Sequence, residues 1–303
     1  MSNAKLIKEL REKTGAGMLD CKKALLENDN DINKASDWLR KKGISSAAKK
    51  GERTAAEGVI AVQNHKNNAY IIELNSETDF VAKNETFHKL ASDIIDSVKN
   101  SDSNNISDLK TSDGNSIENE ITNAISIIGE NIKLRRFSRI KSSGFISSYI
   151  HNSIAENIGK IGVLISINCN ETNEEIEKFA REIAMHIAAN NPVALTPDDI
   201  PTELIEKEKE IFIDQAKASG KPENIIEKMV EGRIRKYYQE VALIEQAFVM
   251  DGKTAIKDLI SEINKKYNCE FAIDSFIRYQ VGEGIEKKDD NFADEAKSIA
   301  ASS

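Results

Sequence analysis

Apolar residues recur at helical spacing along the N-terminal segment and trace three stripes: Leu6, Ile7 and Leu10; Met18, Cys21, Leu25 and Leu26; Ile32, Ala35, Trp38 and Leu39. Each stripe marks one face of a short amphipathic helix. Asp31 stands where the third helix needs an N-cap, and Gly43 stands where that helix can stop. The three predict a small bundle that is only marginally stable alone, because a short chain buries little surface. The following run, Lys41 to Arg53, is basic, polar and rich in small residues. It reads as a solvated tether.

From Gly58 the period becomes two. Val59 to Gln63 and Tyr70 to Asn75 flank the turn-forming Asn64-His65-Lys66-Asn67-Asn68, the pattern of a β-hairpin. Phe87, Leu90, Ile94 and Val98 share a helix face, and Asn100 to Ser116 reads as a mobile loop. Ile117, Ile121, Ile125 and Ile128 mark another helix, followed by a strand from Asn131 to Ile140. The order then returns. Phe145 to Ile150 and Ile161 to Asn168 form a second hairpin, and a helix from Glu174 to Asn190 carries Ile176, Phe179, Ile183 and Ile187 on one face. Much later come a helix from Thr254 to Asn268 and a strand from Phe271 to Val281. Two related α+β halves follow from this repetition.

The second half is interrupted. Pro192, Pro197 and Pro201 bracket a break, after which Leu204, Glu208, Ile211 and Gln215 edge a charged helix. Ser219-Gly220-Lys221-Pro222 is a turn, and Ile225, Ile226, Met229, Ile234 and Tyr237 mark a returning helix. A narrow apolar seam with charged outer faces predicts a protruding antiparallel coiled-coil hairpin. A polar turn from Gly282 leads to a short helix from about Phe292 to Ile299. The expected class is therefore α+β. Residues 1–55 form a three-helix domain with its basic linker, 56–140 and 141–281 the two core subdomains, and 282–303 a C-terminal helical module, with the hairpin inserted at about 196–240.

A chain of 303 residues has room for two or three such units. Its net charge of -8 argues against a general nucleic-acid binder, whose affinity rests on clustered Lys and Arg, and leaves RNA contact only to a local patch. No apolar run approaches the roughly 18 to 20 residues that span a bilayer, and Met1 to Lys13 lacks the apolar core of a signal peptide. Cys21, Cys169 and Cys269 are odd in number and far apart, which suggests neither a disulfide framework nor a metal site. A reducing cytoplasm is the simplest setting, with no membrane partner.

Catalytic motifs are missing. Gly252-Lys253-Thr254 resembles the end of a phosphate-binding loop, but Ala247 occupies the position of the required glycine. His65, His88, His151 and His186 show no ligand spacing, and His186 lies in the apolar Ala184-Met185-His186-Ile187-Ala188, where a packed core histidine is the ordinary outcome. No enzyme, metal or cofactor is expected. One segment is unusual: Asn75-Ser76-Glu77-Thr78-Asp79-Phe80-Val81-Ala82-Lys83-Asn84 sets a large aromatic directly behind a polar, acidic loop. Composition favours a helix start in which Thr78 or Asp79 caps and Phe80 tucks into the core. The other reading is an exposed aromatic anchor beside an acid, the kind of pair that dominates protein interfaces.

The run Leu10-Arg11-Glu12-Lys13-Thr14-Gly15-Ala16-Gly17-Met18-Leu19-Asp20-Cys21-Lys22-Lys23-Ala24-Leu25 resembles the N-terminal signature of translation elongation factor Ts, and Thr78-Asp79-Phe80-Val81-Ala82-Lys83-Asn84 resembles its second signature. Gly129-Glu130-Asn131-Ile132, Ser219-Gly220-Lys221-Pro222 and Val281-Gly282-Glu283-Gly284-Ile285-Glu286-Lys287 match in order, so the likeness covers the whole chain. It implies a ubiquitin-associated-like (UBA-like) N-terminal domain and a guanine-nucleotide exchange factor for elongation factor Tu. It also implies that Thr78, Asp79, Phe80 and Val81 approach the partner's Mg²⁺ region, with Phe80 as a wedge, and that Thr14, Gly15, Ala16, Gly17 and Met18 belong to a second partner-binding region. Those N-terminal glycines are equally explained as a tight turn between packed helices. Self-association or partner contact through the coiled-coil hairpin is open. The family's tip glycine after His151 is replaced by Asn152, and the tip is lengthened to Ile158. The alternative function is an RNA-binding translation-associated protein that uses Lys41 to Arg53.

Overall fold

The computed structural model describes residues 3–218 and 222–286. The chain packs as two compact units, one from Met1–Val59, Ile72–Arg136 and the chain from Gln280, the other from Ile60–Ile71 and Phe137–Tyr279. In chain order the elements begin with α1 (Asn3–Thr14), α2 (Met18–Glu27), α3 (Ile32–Lys50), β1 (Glu57–His65) and β2 (Asn68–Ser76). A short α4 (Asp79–Ala82), α5 (Glu85–Lys99), α6 (Ile117–Ile128) and β3 (Lys133–Lys141) follow. Then come β4 (Phe145–His151), β5 (Ile158–Gly159), β6 (Ile161–Asn168), α7 (Glu174–Asn190), α8 (Thr202–Ala218), α9 (Glu223–Val241), α10 (Ile256–Tyr267) and β7 (Ala272–Gln280). Among the described residues, strands form a four-stranded sheet in the order β3-β2-β1-β5 and a three-stranded sheet in the order β4-β6-β7. In both halves the last strand of the repeat pairs with the middle one and the first lies on its other side. The predicted repetition of order is thus also a repetition of topology.

In the first unit, α1, α2 and α3 close around Leu10, Cys21, Ala24, Leu25, Ala35 and Leu39. Asp31 caps α3 by accepting from the Asn33 and Lys34 amides at 2.9 and 3.0 Å. Met18 and Leu26 depart from the predicted stripe and face solvent. Gly43 does not end α3, which continues to Lys50, so most of the expected tether is helix. The reason is tertiary: Gly43 is buried against α6, and a Cβ there would sit 3.2 Å from Ser126 Oγ. The glycine serves a close helix–helix approach rather than a stop.

Asn84 caps α5 by accepting from the Thr86 amide at 2.8 Å. That helix fully buries Phe87, Ala91, Ile94 and Val98. Roughly 1.5–3 kcal/mol for each of the three larger side chains, rather than intrinsic propensity, holds a helix this short in place. The segment read as a mobile loop has local structure instead. It contains a 3-10 turn at Ile106–Asp108, fully buries Leu109, and is tied to α5 through Ser97 Oγ, which donates to the Lys110 carbonyl at 2.7 Å. Hydrogen bonds from Ser103 and Asn105 hold the exposed Asp108 carboxyl below the ordinary carboxylate range. At the other end of this unit, buried Glu73 accepts from Arg135 Nη1 at 3.0 Å, Arg136 Nε at 2.6 Å and the Gly282 amide at 2.8 Å. The first residues of the predicted C-terminal module are therefore fastened here; its expected helix from Phe292 lies outside the described residues.

The second unit buries Ile183 and Ile187 of α7 and Ile256 of α10 in one cluster with Val163, Ile165, Ile167 and Phe271. The lengthened tip after His151 is not a bare loop. It turns through Asn152 and Asn157, at φ of 50° and 57°, values that asparagine tolerates where glycine is the usual choice. It then becomes β5, which pairs antiparallel with β1, Ile60 opposite Gly159 and Ala61 opposite Ile158. The helices α8 and α9 run antiparallel: Arg233 reaches Gln215 and the Phe212 ring, while the earlier Ile205 shares a cluster with the later Tyr237 and Val241. Their seam is offset by one residue from the predicted edge: Ile205, Phe212 and Ala216 turn inward, while Leu204 and Ile211 remain exposed. Both rows satisfy the same helical spacing, and only the partner helix selects between them. The turn at 219–221 lies outside the described residues.

His186 is fully buried, as its apolar surroundings predict. Its Nε2 pairs with Gln246 Oε1 at 2.8 Å while Nδ1 accepts from the Val249 amide at 3.1 Å, so the ring is neutral with its proton on Nε2. Burial pushes its pKa below the ordinary histidine value. The unfolded chain therefore binds a proton that the folded one refuses. Stability from this site is complete above about pH 6.5 and is lost as pH falls through the depressed folded value. Urea unfolding at pH 7.5 and 5.5 is expected to show that loss, with a slope of up to about 1.4 kcal/mol per pH unit, and His186→Gln to flatten it.

Candidate partner-binding site

Both predicted partner-binding segments lie in the first unit. Ser76 ends β2, and its hydroxyl donates to the Thr78 carbonyl at 2.9 Å, turning the chain sharply. Glu130, just beyond α6, then clamps Thr78, accepting from its amide at 3.0 Å and from its hydroxyl at 2.6 Å. The neighbouring Glu77 accepts from the Asn131 amide at 2.6 Å, and Asn131 Nδ2 donates to the Arg53 carbonyl at 2.7 Å. Val81 and Ala82 are buried under the turn, and His88 Nε2 meets the Ala82 carbonyl at 2.7 Å. Asp79 pairs with Lys83 at 2.8 Å, one helical turn on.

The outcome for Phe80 is the opposite of the helix-start reading. Its ring is 80% exposed, although the residues on either side are tied down. Thr78 occupies the N-cap position of α4 but makes no side-chain cap bond; its hydroxyl donates instead to Glu130. An exposed phenylalanine on a mobile loop would signify little; one held on a locked four-residue helix is presented in a fixed direction. The scaffold Glu77, Glu130, Asn131 and Arg53 was not assigned a role by sequence reasoning. The only signal was the match of Gly129-Glu130-Asn131-Ile132, which named no partner for these side chains.

The second segment is a turn between α1 and α2. Thr14 Oγ1 donates to the Leu10 carbonyl at 2.7 Å, and Gly15 adopts φ 68°. A Cβ on Gly15 would lie 2.8 Å from Ile127 Cδ1 of α6. The tight-turn reading of these glycines thus has a physical basis, with close packing added to it. Behind the turn, Met18 and Leu19 stand 61% and 83% exposed on α2, an apolar pair that sequence reasoning had assigned only in part.

Among the described residues, no group of three or more His, Cys, Asp or Glu could hold a metal ion, and no helix is long and apolar enough to cross a membrane. Fold and site together define an α+β protein whose distinctive surface is an aromatic ring fixed on a hydrogen-bonded turn, with exposed apolar residues on a small helical module. Residues 77–283 match the family described as Elongation factor TS, and residues 1–51 match Elongation factor Ts, mitochondrial, N-terminal. Elongation factor Ts of Bartonella quintana is 46% identical over 299 residues, covering 97% of each chain. That of Rickettsia peacockii is 46% identical over 98% of this chain and 97% of its own, and that of Rhodospirillum centenum is 43% identical over 98% of both. The chain belongs to the elongation factor Ts family of translation elongation factors.

Proposed function

We propose that this chain binds elongation factor Tu and promotes release of its guanine nucleotide, acting by contact alone. The observation that carries the proposal is the exposed Phe80 ring on its clamped turn, in a chain of this family. In this reading Thr78 to Val81 approach the partner's Mg²⁺ region, Phe80 wedges between partner helices, and Asp79 disturbs the network around the ion. Mg²⁺ requires near-octahedral oxygen ligands at about 2.0 to 2.1 Å and shares them between protein and phosphates. A small displacement of the protein's share therefore removes much of the nucleotide's affinity. A thousandfold acceleration corresponds to about 4 kcal/mol, and a well-packed aromatic anchor supplies roughly 2 to 4 kcal/mol. Linkage makes the effect reciprocal, so GDP weakens the binding of this chain as much as the chain weakens GDP.

Thr14 to Met18, with Leu19 beside them, form the second contact. The hairpin's exposed Leu204, Ile211 and Ile225 offer a third, to the same partner or to a second copy of the chain. The RNA-binding alternative is not favoured, since the basic run on which it relied is mostly a helix packed on α6.

Substoichiometric amounts of the chain are expected to accelerate loss of fluorescent GDP from elongation factor Tu over many turnovers. Unchanged release at every ratio ends the proposal. Glu130→Ala is expected to free the turn. Losing two charge-assisted bonds at this partly exposed site costs about 1 kcal/mol of preorganisation, or about fivefold in exchange rate. Hydrogen exchange of the Thr78 and Lys83 amides rises in parallel, which separates loosening of the turn from global unfolding.

A further inference from the structure

We propose that Cys169 and Cys269 form a redox-active dithiol that closes to an internal disulfide when the protein meets a hydroperoxide. In sequence the two are remote. In the second unit, Cys169 directly follows β6 and Cys269 shortly precedes β7, and these strands are neighbours in the three-stranded sheet. Both are free, buried thiols of one hydrophobic cluster, 9% and 7% exposed. The adjoining residues fix the approach on either side: the Glu270 amide donates to Asn170 Oδ1 at 2.8 Å, and Ser166 Oγ donates to Asp274 Oδ2 at 3.3 Å. Each also meets a fixed oxygen, Cys169 the Glu171 carbonyl at 2.8 Å and Cys269 Asn264 Oδ1 at 3.3 Å.

Burial, and then the neighbouring sulfur, push the Cys169 thiol above its ordinary value. Cys169 therefore rests protonated at neutral pH, and the oxidation quickens as pH rises. The chemistry balances in two steps. One thiolate attacks a peroxide oxygen and becomes a sulfenic acid, with loss of hydroxide (or alkoxide). The second thiol then displaces water from that sulfenic sulfur, so two thiols lose two electrons and the peroxide gains them. The new bond ties the end of β6 to the approach to β7 and closes a loop that contains α7 to α10, including the helical hairpin. It restricts the unfolded chain more than the folded one.

The test uses the full chain with hydrogen peroxide, followed by non-reducing peptide mass mapping. The expected product is a peptide linked through Cys169 and Cys269, lighter by two hydrogens, in a chain whose circular dichroism is unchanged. At about 1 µM protein, an internal effective concentration of ~1 mM favours this link over a disulfide dimer by roughly a thousandfold. The unfolding midpoint rises on oxidation and returns with dithiothreitol, and Cys21→Ser leaves both effects intact. Sulfinic acid at either cysteine without a link overturns the proposal. So does a link through Cys21, or a link that forms only in urea. Cys169→Ser and Cys269→Ser serve as confirmation, and the mapping of the unaltered chain decides the matter even if they fold poorly.

Discussion

Phe80→Ala is expected to slow the exchange reaction tenfold or more while leaving the unfolding midpoint almost unchanged. The reasoning rests on where the ring is. At 80% exposure it contributes little to the folded chain, and surface substitutions away from special features usually stay within about 0.5 kcal/mol of neutral. In the proposed complex the same ring would go from water into a pocket, a transfer of about 1.5–3 kcal/mol for a phenylalanine. Losing even the lower end of that range exceeds the roughly 1.4 kcal/mol that corresponds to tenfold. Stopped-flow release of labelled GDP beside a thermal melt makes the comparison. Full exchange activity would remove Phe80 from the mechanism, whereas a lowered midpoint would show that the ring supports its own chain. Asp79→Ala should also leave the midpoint almost unchanged, since its exposed pair with Lys83 is of the kind worth about 0.3–0.5 kcal/mol.

Glu73→Ala carries the largest expected stability loss, about 3 kcal/mol, read as a drop of roughly 6–12 °C in the melting midpoint. Glu73 is wholly buried, and its carboxylate gathers two arginines from β3, the Gly282 amide and Asn75 Nδ2. Removing it leaves Arg135 and Arg136 side by side without a common acceptor and the Gly282 amide unpaired. Arg135 and Arg136 are 26% and 32% exposed, so they retain some water, and the estimate sits at the lower end of the range for broken buried pairs. Arg136 also meets Glu283 at 3.2 Å, so the segment after β7 should detach first. Faster hydrogen exchange at Gly282 and Glu283, ahead of global unfolding, checks that order.

The periodicity of the chain was sufficient for most elements. The span of α7, Glu174–Asn190, follows from its apolar face and from Asn173, which accepts from the Glu175 and Ile176 amides. The cap at Asp31 and the two hairpins are equally local, because their determinants are within a few residues of each other. The candidate site was named in the sequence through the signature that contains Phe80. It was not legible in the ring's exposure, since a phenylalanine after a strand packs inward unless something lifts it. The turn that carries it is held by Glu130, far away in sequence, which accepts from both the amide and the hydroxyl of Thr78.

What the sequence by itself determined is the order and period of the elements, their caps, and the family to which the chain belongs, all of which arise from interactions along one helix or one hairpin. What only the tertiary structure decided is which of two equivalent faces turns inward and which distant residues meet. Gly43 became an interior contact rather than a helix end because Ser126 lies against it. The seam of α8 settled on Phe212 rather than Ile211 because α9 brings Arg233 over that ring. Cys169 and Cys269, unrelated along the chain, became neighbours because β6 and β7 do. Local rules specify conformation, whereas contact between remote segments is fixed by the packing of the whole.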